Sequence, residues 1–591
     1  MMQQAHDQCV HDEFALRQAR SMIVRIAAVA LVVGCVPTRP PSEAEPTPNG
    51  VASVSAPPAA ALERVALPAM EGAQAPRIVS TSAGLVASWL EPAGDGHRLR
   101  VATLTEAAVS TASTVVEGRP VFVNWADVPS VREGGDGALY TWWPEIVGNA
   151  PYAYGVQLAR SVDGGTTWSP LGMVHDDGTA TEHGFVSMAP VATGVRVAWL
   201  DGRETGSGEP MTLRTAVVGA EVGATSVLDA RVCDCCGTDA TSVADGATLI
   251  VARDRSVHEI RDIVAVRVGV DGVATTARVH ADGWEIAGCP VNGPRVVARG
   301  DRVAVAWYTE VDGPEVRLAW SDDGGRTFGD VVPIAGGAAD GPLGRVGLAW
   351  AGREDVAVSW LDRDAERAVV RVRRASRDGR VGEPLDLGFT GADRASGFPA
   401  LARYDDWLGV VWTVPEVGLE ARRVPLAALP PVTARPTPDD AIPTASPSTI
   451  PLADYRPDRL DGGGEVDFAG LAGRPVLVNL WATWCAPCMA ELPELLALHR
   501  TWSPRGLEVV SVAIDDNAAR ARIVTAKRGM TWTHAVDGSA RAARVFGTDQ
   551  LPTTILYAPD GAVLWSKRGA LDADESGLDA VLRRVTGTGG R

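Results

Sequence analysis

The stretch VNLWATWCAPCMAELP, Val478–Pro493, decides the fold of the last part of the chain. Its apolar first half predicts a buried strand, and Cys485 and Cys488 stand where a helix-forming run begins. Free N–H groups and the helix dipole stabilise an anion there, so the pKa of Cys485 is expected below its free value of about 8.5. Cys488, one turn later, can then attack a disulfide formed by Cys485. Pro487 fits the first helical turn.

Strand and helix patterns alternate around this stretch and predict an α/β domain over residues 452–591. The C-x-x-C motif, the preceding W-x-x-W and the downstream QLPTTILYAPDG resemble the thioredoxin fold, and within it the TlpA/ResA-like branch. A dithiol redox site is therefore favoured over a structural zinc site, which lacks two further nearby ligands.

The resemblance implies a thiol–disulfide oxidoreductase whose redox-active disulfide is Cys485–Cys488. It implies a cis bond before Pro552, with the Leu551 backbone beside the dithiol to pair with a client strand. Trp484 would shield Cys485.

The resemblance also implies that Glu491 tunes the thiols or moves protons; the alternative is a solvated carboxylate in the first turns of the helix. It favours a reductase that uses no cofactor and takes electrons from a membrane thiol donor. Its protein clients would be disulfides in cytochrome c or copper-site maturation. An oxidase and an isomerase stay open as alternatives.

Between residues 76 and 425 short Val/Ala/Trp-rich runs recur without an amphipathic helix pattern. Their centres are Trp89, Trp142, Trp199, Ala252, Trp307, Trp360 and Trp412. The spacings of 53, 57, 53, 55, 53 and 52 residues predict an all-β propeller with one four-stranded blade per repeat. Seven repeats indicate seven blades, and a ring of six is the alternative.

Two hairpin motifs belong to these repeats, SVDGGTTW (Ser161–Trp168) and SDDGGRTF (Ser321–Phe328). Both match the Asp-box, in which the aspartate bonds backbone amides and glycines take positive φ. The segment therefore resembles sialidase and BNR-repeat propellers, a likeness of fold and not of activity. The RIP arginine motif of sialidases is absent, and only PRIV at Pro76–Val79 comes near, so a glycosidase is the least favoured function.

Charged residues follow the repeated runs at equivalent positions. They are Glu91, Glu145, Asp201 with Arg203, Asp254 with Arg255, Glu310, and Asp362 with Arg363. They are either polar residues leaving a strand, which is the favoured interpretation, or a binding face around one mouth of the propeller channel.

The N-terminal residues 1–35 have the pattern of an export signal. Arginines precede the apolar run Ile26–Val33, which is too short to span a bilayer as a helix. The run ends in VVGC, which resembles a bacterial lipobox and implies lipidation of Cys35 and anchoring at a periplasmic or other extracytoplasmic membrane face. An ordinary cleaved signal is the alternative. Residues 36–75 and 426–451 are rich in proline and small residues, which predicts a disordered tether and an extended linker.

The bulk composition limits the classes of function. A length of 591 residues predicts two or more domains, and 46% hydrophobic with 22% charged residues is typical of globular protein. The net charge of −18 argues against nucleic acid as a partner, because phosphate binding needs a basic surface.

A second cysteine cluster, RVCDCCGTDA, lies inside the propeller. Cys233, Cys235 and Cys236 precede the fourth repeat, and Cys289 follows one blade later at a similar phase. Adjacent blades are therefore expected to bring them together. Export favours one or two structural disulfides, with Cys289 bridged to one of the three.

Two alternatives remain for this cluster. One is a copper or zinc site that adds His258 or His280, and the other is a reversible dithiol that makes the cluster an in-chain client. Two functions of different classes follow for the whole chain. The first is an exported oxidoreductase with the propeller as docking module, and the second is a ligand- or metal-binding propeller whose thioredoxin-like domain maintains its cysteines.

Overall fold

The computed structural model describes residues 62–286, 288–311, 313–336, 341–364, 367–433, 452–483, 485–514, 518–537, 541–546, 551–571 and 576–586. The predicted signal, Cys35 and Trp484 lie outside these residues, as does the linker from residue 434 to 451. Within the described part, no helix is both long and apolar enough to cross a membrane.

The propeller has seven four-stranded antiparallel sheets. The chain enters through β1, Glu63–Arg64. The first blade contains β2–β5, Gln74–Thr81, Gly84–Ala93, Gly96–Leu104 and Ser113–Val116. The second contains β6–β9, Val131–Glu133, Leu139–Ile146, Tyr154–Ser161 and Ser169–Met173. The third contains β10–β13, His183–Val191, Gly194–Asp201, Thr212–Val218 and Ser226–Asp229.

The remaining blades repeat this order. The fourth contains β14–β17, Asp239–Ser242, Thr248–Arg253, Ile263–Val268 and Ala274–His280. The fifth contains β18–β21, Arg295–Arg299, Arg302–Thr309, Glu315–Ser321 and Val332–Gly336. The sixth contains β22–β25, Gly344–Trp350, Asp355–Asp364, Arg367–Ser376 and Leu385–Gly391. The seventh contains β26–β28, Ala400–Tyr404, Trp407–Val414 and Gly418–Pro425.

The ring closes through strands from both ends of the propeller segment. Strand β1 pairs with β28 and forms the outermost strand of the seventh blade. The prediction of a disordered tether over residues 36–75 is therefore wrong for residues 62–75, where Ala73 and Ala75 are also buried. The linker prediction is likewise wrong for residues 426–433, because Leu429 packs into the propeller core and the Thr433 N–H bonds the Val381 carbonyl.

The recurrent tryptophans build the propeller core from equivalent positions. Each repeat centre lies on the second strand of its blade, and the six tryptophans among them are at most 1% exposed. Burying an aromatic side chain stabilises the fold by about 1.5–3 kcal/mol, so the six tryptophans contribute substantially to the propeller core. The prediction of seven blades is confirmed.

The two predicted hairpin motifs form the turns between the third and fourth strands of the second and fifth blades. The Thr167 N–H donates to Asp163 Oδ1 at 2.9 Å, and the Thr327 N–H donates to Asp323 Oδ1 at the same distance. Gly165, at φ 89°, closes the first turn by donating its N–H to Ser161 Oγ. These hydrogen bonds give the turns a structural role in the blades.

The acidic strand ends have a structural role in at least three blades. Indole Nε1 of Trp89 donates to Glu91, that of Trp143 to Glu145, and that of Trp199 to Asp201, at 2.9–3.1 Å. Arginines then neutralise the carboxylates, as Arg203 does for Asp201 at 2.7 Å. These acids satisfy buried tryptophans, which favours the interpretation as polar strand ends over a binding ring.

The C-terminal domain is a six-stranded mixed sheet with four helices in the described ranges. Its strands β29–β34 are Asp458–Arg459, Val476–Trp481, Glu508–Ala513, Thr533–Val536, Thr553–Tyr557 and Val563–Arg568. Its helices α1–α4 are Ala486–Trp502, Ala518–Arg528, Arg541–Phe546 and Ser576–Thr586. The sheet order is β29-β32-β31-β30-β33-β34, with β30, β31 and β32 parallel to one another. This is the predicted α/β domain, with the central strand β30 leading into Cys485.

Candidate active site

Cys485 is the N-cap residue of α1, at the carboxyl end of the central strand. Its Sγ accepts a hydrogen bond from the Cys488 N–H at 3.2 Å, so the helix terminus faces the sulfur as predicted. Pro487 stands in the first turn, where its missing N–H leaves no helical bond unmade. Cys485 and Cys488 are joined by a disulfide and are 1% and 0% exposed.

The Leu551–Pro552 peptide bond is cis. Strand β33 starts at Thr553 and pairs antiparallel with β30, with Thr553 opposite Leu480. The two residues before Thr553 therefore lie beside the segment that leads from β30 to Cys485. The cis-proline loop and the dithiol therefore lie at the same end of the β30–β33 pair, and Leu551, Cys485 and Cys488 are all buried in the core of the domain.

Glu491 lies inside the domain, three residues after Cys488. It is 1% exposed, which excludes the alternative of a solvated carboxylate. Asn479 Nδ2 donates to Glu491 Oε1, and the Leu571 N–H donates to Glu491 Oε2, both at 2.9 Å. Burial outweighs these bonds and raises the pKa of Glu491 to about 7, so the group can exchange a proton near neutral pH.

The propeller cysteines gather in two loops that each join an outermost strand to the next blade. Cys233–Cys236 lie between β13 and β14, and Cys289 lies between β17 and β18. The Cys233 and Cys236 sulfurs are 2.6 Å apart, and the Cys233 and Cys235 sulfurs 3.9 Å. Cys235 and Cys289 both pack against the same buried cluster of the propeller core.

All four propeller thiols are free. The expected bridge between Cys289 and one of the other three is therefore not formed in this structure. Neither His258 nor His280 is grouped with the sulfurs; the His280 ring bonds Asp282 at 2.8 Å. The three cysteines of the first loop are nevertheless arranged closely enough to share a metal ion.

Two buried arginines beside these thiols escaped sequence analysis. Arg253 donates to the Asn292, Arg261 and Tyr308 carbonyls, and Arg261 pairs with Glu259 at 2.6 Å. Burial opposes ionisation of Cys233, but hydrogen bonds from Cys235 and Cys236 and the charge of Arg261 lower its pKa well below the usual range. The RDR and IRDI segments are the only signal for these arginines in the sequence, and a run of charged residues does not show which of them are buried.

Sequence analysis also missed a histidine pair where the second blade leads into the third. The rings of His175 and His183 stack at 3.8 Å, and Asp177 Oδ2 lies 3.0 Å and 3.2 Å from them. The three residues have the spacing of a metal site. Arg203 pairs with the same Asp177 oxygen at 3.2 Å, and its positive charge disfavours a cation there.

The innermost strands enclose a cavity of about 420 Å³ in the propeller channel. Basic side chains dominate its charged lining: Arg77, Arg132, Arg295, Arg299 and Arg403, against Asp239. Burial and the neighbouring Arg295 lower the pKa of Arg77 to about 9. A channel of this charge suits an anion better than a metal cation.

Comparison with known proteins bears on the C-terminal part of the chain. Residues 437–582 match the Redoxin family model. The thiol-disulfide oxidoreductase ResA of Bacillus thuringiensis is 26% identical over 124 residues, 21% of this chain and 70% of the relative. The ResA of Oceanobacillus iheyensis is 29% identical over 109 residues, 18% of this chain and 57% of that one. The C-terminal domain is a redoxin domain.

A solved structure gives a further likeness of the redoxin domain. It is the putative thiol:disulfide interchange protein DsbE of Chlorobium tepidum, 25% identical, with a TM-score of 0.21 over 22% of this chain and 92% of that one. The chain joins a seven-bladed propeller to a redoxin domain that is similar to thiol-disulfide oxidoreductases. The predicted fold classes of both parts are confirmed.

Proposed function

We propose that this protein is an extracytoplasmic reductase of protein disulfides that uses Cys485 as nucleophile and Cys488 as resolving thiol. The observation that carries the proposal is the position of Cys485 at the N-cap of α1, with its sulfur receiving the Cys488 N–H. In the reduced enzyme the same contact stabilises the Cys485 thiolate, which is the attacking species.

The reaction consists of two exchanges. The Cys485 thiolate attacks one sulfur of a client disulfide, forms a mixed disulfide and releases the other client sulfur as thiolate. Cys488 loses its proton and attacks Cys485 Sγ, which releases the client reduced and leaves Cys485–Cys488 oxidised. Glu491, three residues after Cys488, is a buried carboxyl group that can take this proton, because burial raises its pKa to about 7.

The remaining parts of the proposal concern location and partners. The lipobox-like VVGC supports export and lipid anchoring at Cys35. A membrane thiol donor would recharge the dithiol, and clients of the kind met in cytochrome c or copper-site maturation are proposed from the TlpA/ResA resemblance. The propeller, with its BNR-type Asp-box turns, would serve as the docking module, since its loops touch the redoxin domain at Leu551 and Arg568.

Reduction of insulin by the full-length protein with an external dithiol tests the chemistry. We expect Cys485→Ser to lower the rate to that of the dithiol alone, because the nucleophile is lost. Ala497→Ser is a matched control, since it places a serine on the exposed face of the same helix, and full activity is expected. Equal rates for Cys485→Ser and the unaltered protein would contradict the proposal.

A further inference from the structure

The propeller and the redoxin domain touch where the dithiol lies. The Cys289 N–H donates to the Leu551 carbonyl at 3.3 Å, and Arg568 Nη1 pairs with Glu310 Oε2 at 3.2 Å. Arg568 lies opposite Thr553 in the sheet, so both contacts involve the edge that contains the cis-proline loop. Glu310 directly follows β19 of the fifth blade, and the loop that carries Cys289 leads into β18 of the same blade.

The backbone approach at this contact is close. A Cβ on Gly288 would lie 2.9 Å from the Leu551 oxygen, nearer than real Cβ atoms come to backbone. The Gly288–Cys289 segment thus lies against the carbonyl that precedes the cis proline, and it bonds this carbonyl through its own backbone. Main-chain bonding of a short extended segment to an exposed backbone edge is how many proteins hold peptide substrates.

The thiols of the cluster differ in their access to this contact. Cys233 and Cys236 are 1% exposed, whereas Cys235 and Cys289 are partly exposed. The Cys289 backbone bonds the redoxin domain, and Cys235, which packs against the same buried cluster, is the other partly exposed thiol and therefore the partner we assign to a disulfide. Cys233, Cys236 and Arg261 are all buried.

We propose that Cys289 is an in-chain substrate of the redoxin domain, and that a Cys235–Cys289 disulfide is the bond that Cys485 exchanges. The inference rests on the proposed function of Cys485 and Cys488. The Cys485 thiolate attacks Cys289 Sγ, the Cys235–Cys289 bond breaks, and Cys235 leaves as a thiolate. Cys488 then attacks Cys485 and frees Cys289.

The exchange balances within the chain. Two thiols of the redoxin domain become one disulfide, and one disulfide of the propeller becomes two thiols, with two electrons transferred and both protons kept. An external dithiol restores Cys485 and Cys488, and a disulfide oxidant such as oxidised glutathione forms the Cys235–Cys289 bond. The propeller is then a redox partner of its own redoxin domain.

The rate of Cys289 reduction in the full-length protein tests the inference. Protein oxidised with glutathione disulfide is mixed with a limiting external dithiol, quenched by alkylation at intervals, and mapped by mass spectrometry. We expect Cys289 to be freed about 100-fold more slowly in Cys485→Ser, because exchange inside one chain has a large effective concentration. In Cys488→Ser we expect a Cys485–Cys289 mixed disulfide, which a further Cys289→Ser substitution removes.

Three outcomes would overturn the inference. The first is equal rates of Cys289 reduction in Cys485→Ser and the unaltered protein. The second is the absence of a Cys289 disulfide after oxidation. The third is a metal ion bound by the four thiols that blocks their oxidation. Insulin reduction measured on the same samples separates the two proposals, since it persists if only the in-chain exchange fails and is lost if the Cys485 chemistry itself is absent.

Discussion

The backbone N–H of Cys289 donates a hydrogen bond to the carbonyl oxygen of Leu551, with 3.3 Å between nitrogen and oxygen. This bond joins a propeller loop to the residue that precedes the cis proline of the redoxin domain. Because β30 and β33 pair antiparallel, with Leu480 opposite Thr553, Leu551 and the dithiol lie at the same end of these two strands, and the loop brings Cys289 to that end of the redoxin domain. A loop of the first cysteine cluster thus contacts the domain that holds the second, although Cys236 and Cys485 are 249 residues apart in the sequence.

Enlarging Gly288 is expected to weaken this contact. In Gly288→Ala the new methyl group meets the Leu551 oxygen, and the propeller loop must shift away from the redoxin domain. We expect the reduced Cys485 to be alkylated by iodoacetamide several-fold faster. Gly206→Ala is the control, because its Cβ would meet no atom within 4 Å. Unchanged alkylation in Gly288→Ala would show that the loop does not cover the dithiol.

The ion pair between Glu310 and Arg568 is expected to contribute modestly to domain association. The Arg568 side chain is 46% exposed, so solvent screens the pair, and a coupling of about 0.2–1 kcal/mol is expected. A double-mutant cycle with Glu310→Gln and Arg568→Gln, followed by chemical denaturation, measures it, because the cycle cancels the other contacts of both residues. The coupling should shrink as salt is added; a coupling insensitive to salt would contradict an electrostatic origin.

Local patterns in the sequence predicted both folds. The centres of the repeated second strands, six of them tryptophan and one alanine, recur every 52–57 residues, and the apolar strand that ends at Trp481 leads to a helix-forming run that begins at Cys485. These features depend on neighbours in sequence, which composition and period reveal.

Features that depend on distant contacts escaped prediction. The sequence predicts a tether over strand β1, because the two residues of this strand become ordered only by pairing with β28 at the other end of the propeller segment. The contact of Gly288 with Leu551 joins residues more than 260 positions apart, and no pattern in either segment marks it. The free state of the four propeller thiols likewise depends on how two loops meet, which spacing alone does not reveal.

Removing the charge of Arg261 is expected to raise the pKa of Cys233. Arg261 is 3% exposed, and its charge helps the hydrogen bonds from Cys235 and Cys236 to stabilise the Cys233 thiolate against the cost of burial. In a Cys485→Ser, Cys488→Ser background, Arg261→Gln should shift the ultraviolet thiolate absorbance to higher pH. Arg278→Gln, which removes a largely exposed arginine, is the control. A thiolate signal that Cys233→Ser leaves in place would refute the assignment.

Glu491 is expected to make the redoxin domain less stable as the pH rises. Burial raises its pKa to about 7 from the usual 4.5, so between these values the folded chain keeps a proton that the unfolded chain has lost. The free energy of unfolding therefore falls as pH rises through this window, and above it the full penalty of burying the charged carboxylate is present. Glu491→Gln carries no charge, so its stability relative to the unaltered protein should increase from pH 4.5 to pH 7 by about 3 kcal/mol.

Calorimetric unfolding across this range measures the difference, with Glu494→Gln, which alters a partly exposed glutamate of the same helix, as control. The loss of the bond that Glu491 Oε1 accepts from Asn479 adds a constant offset, so the slope with pH, and not the absolute difference, decides the outcome.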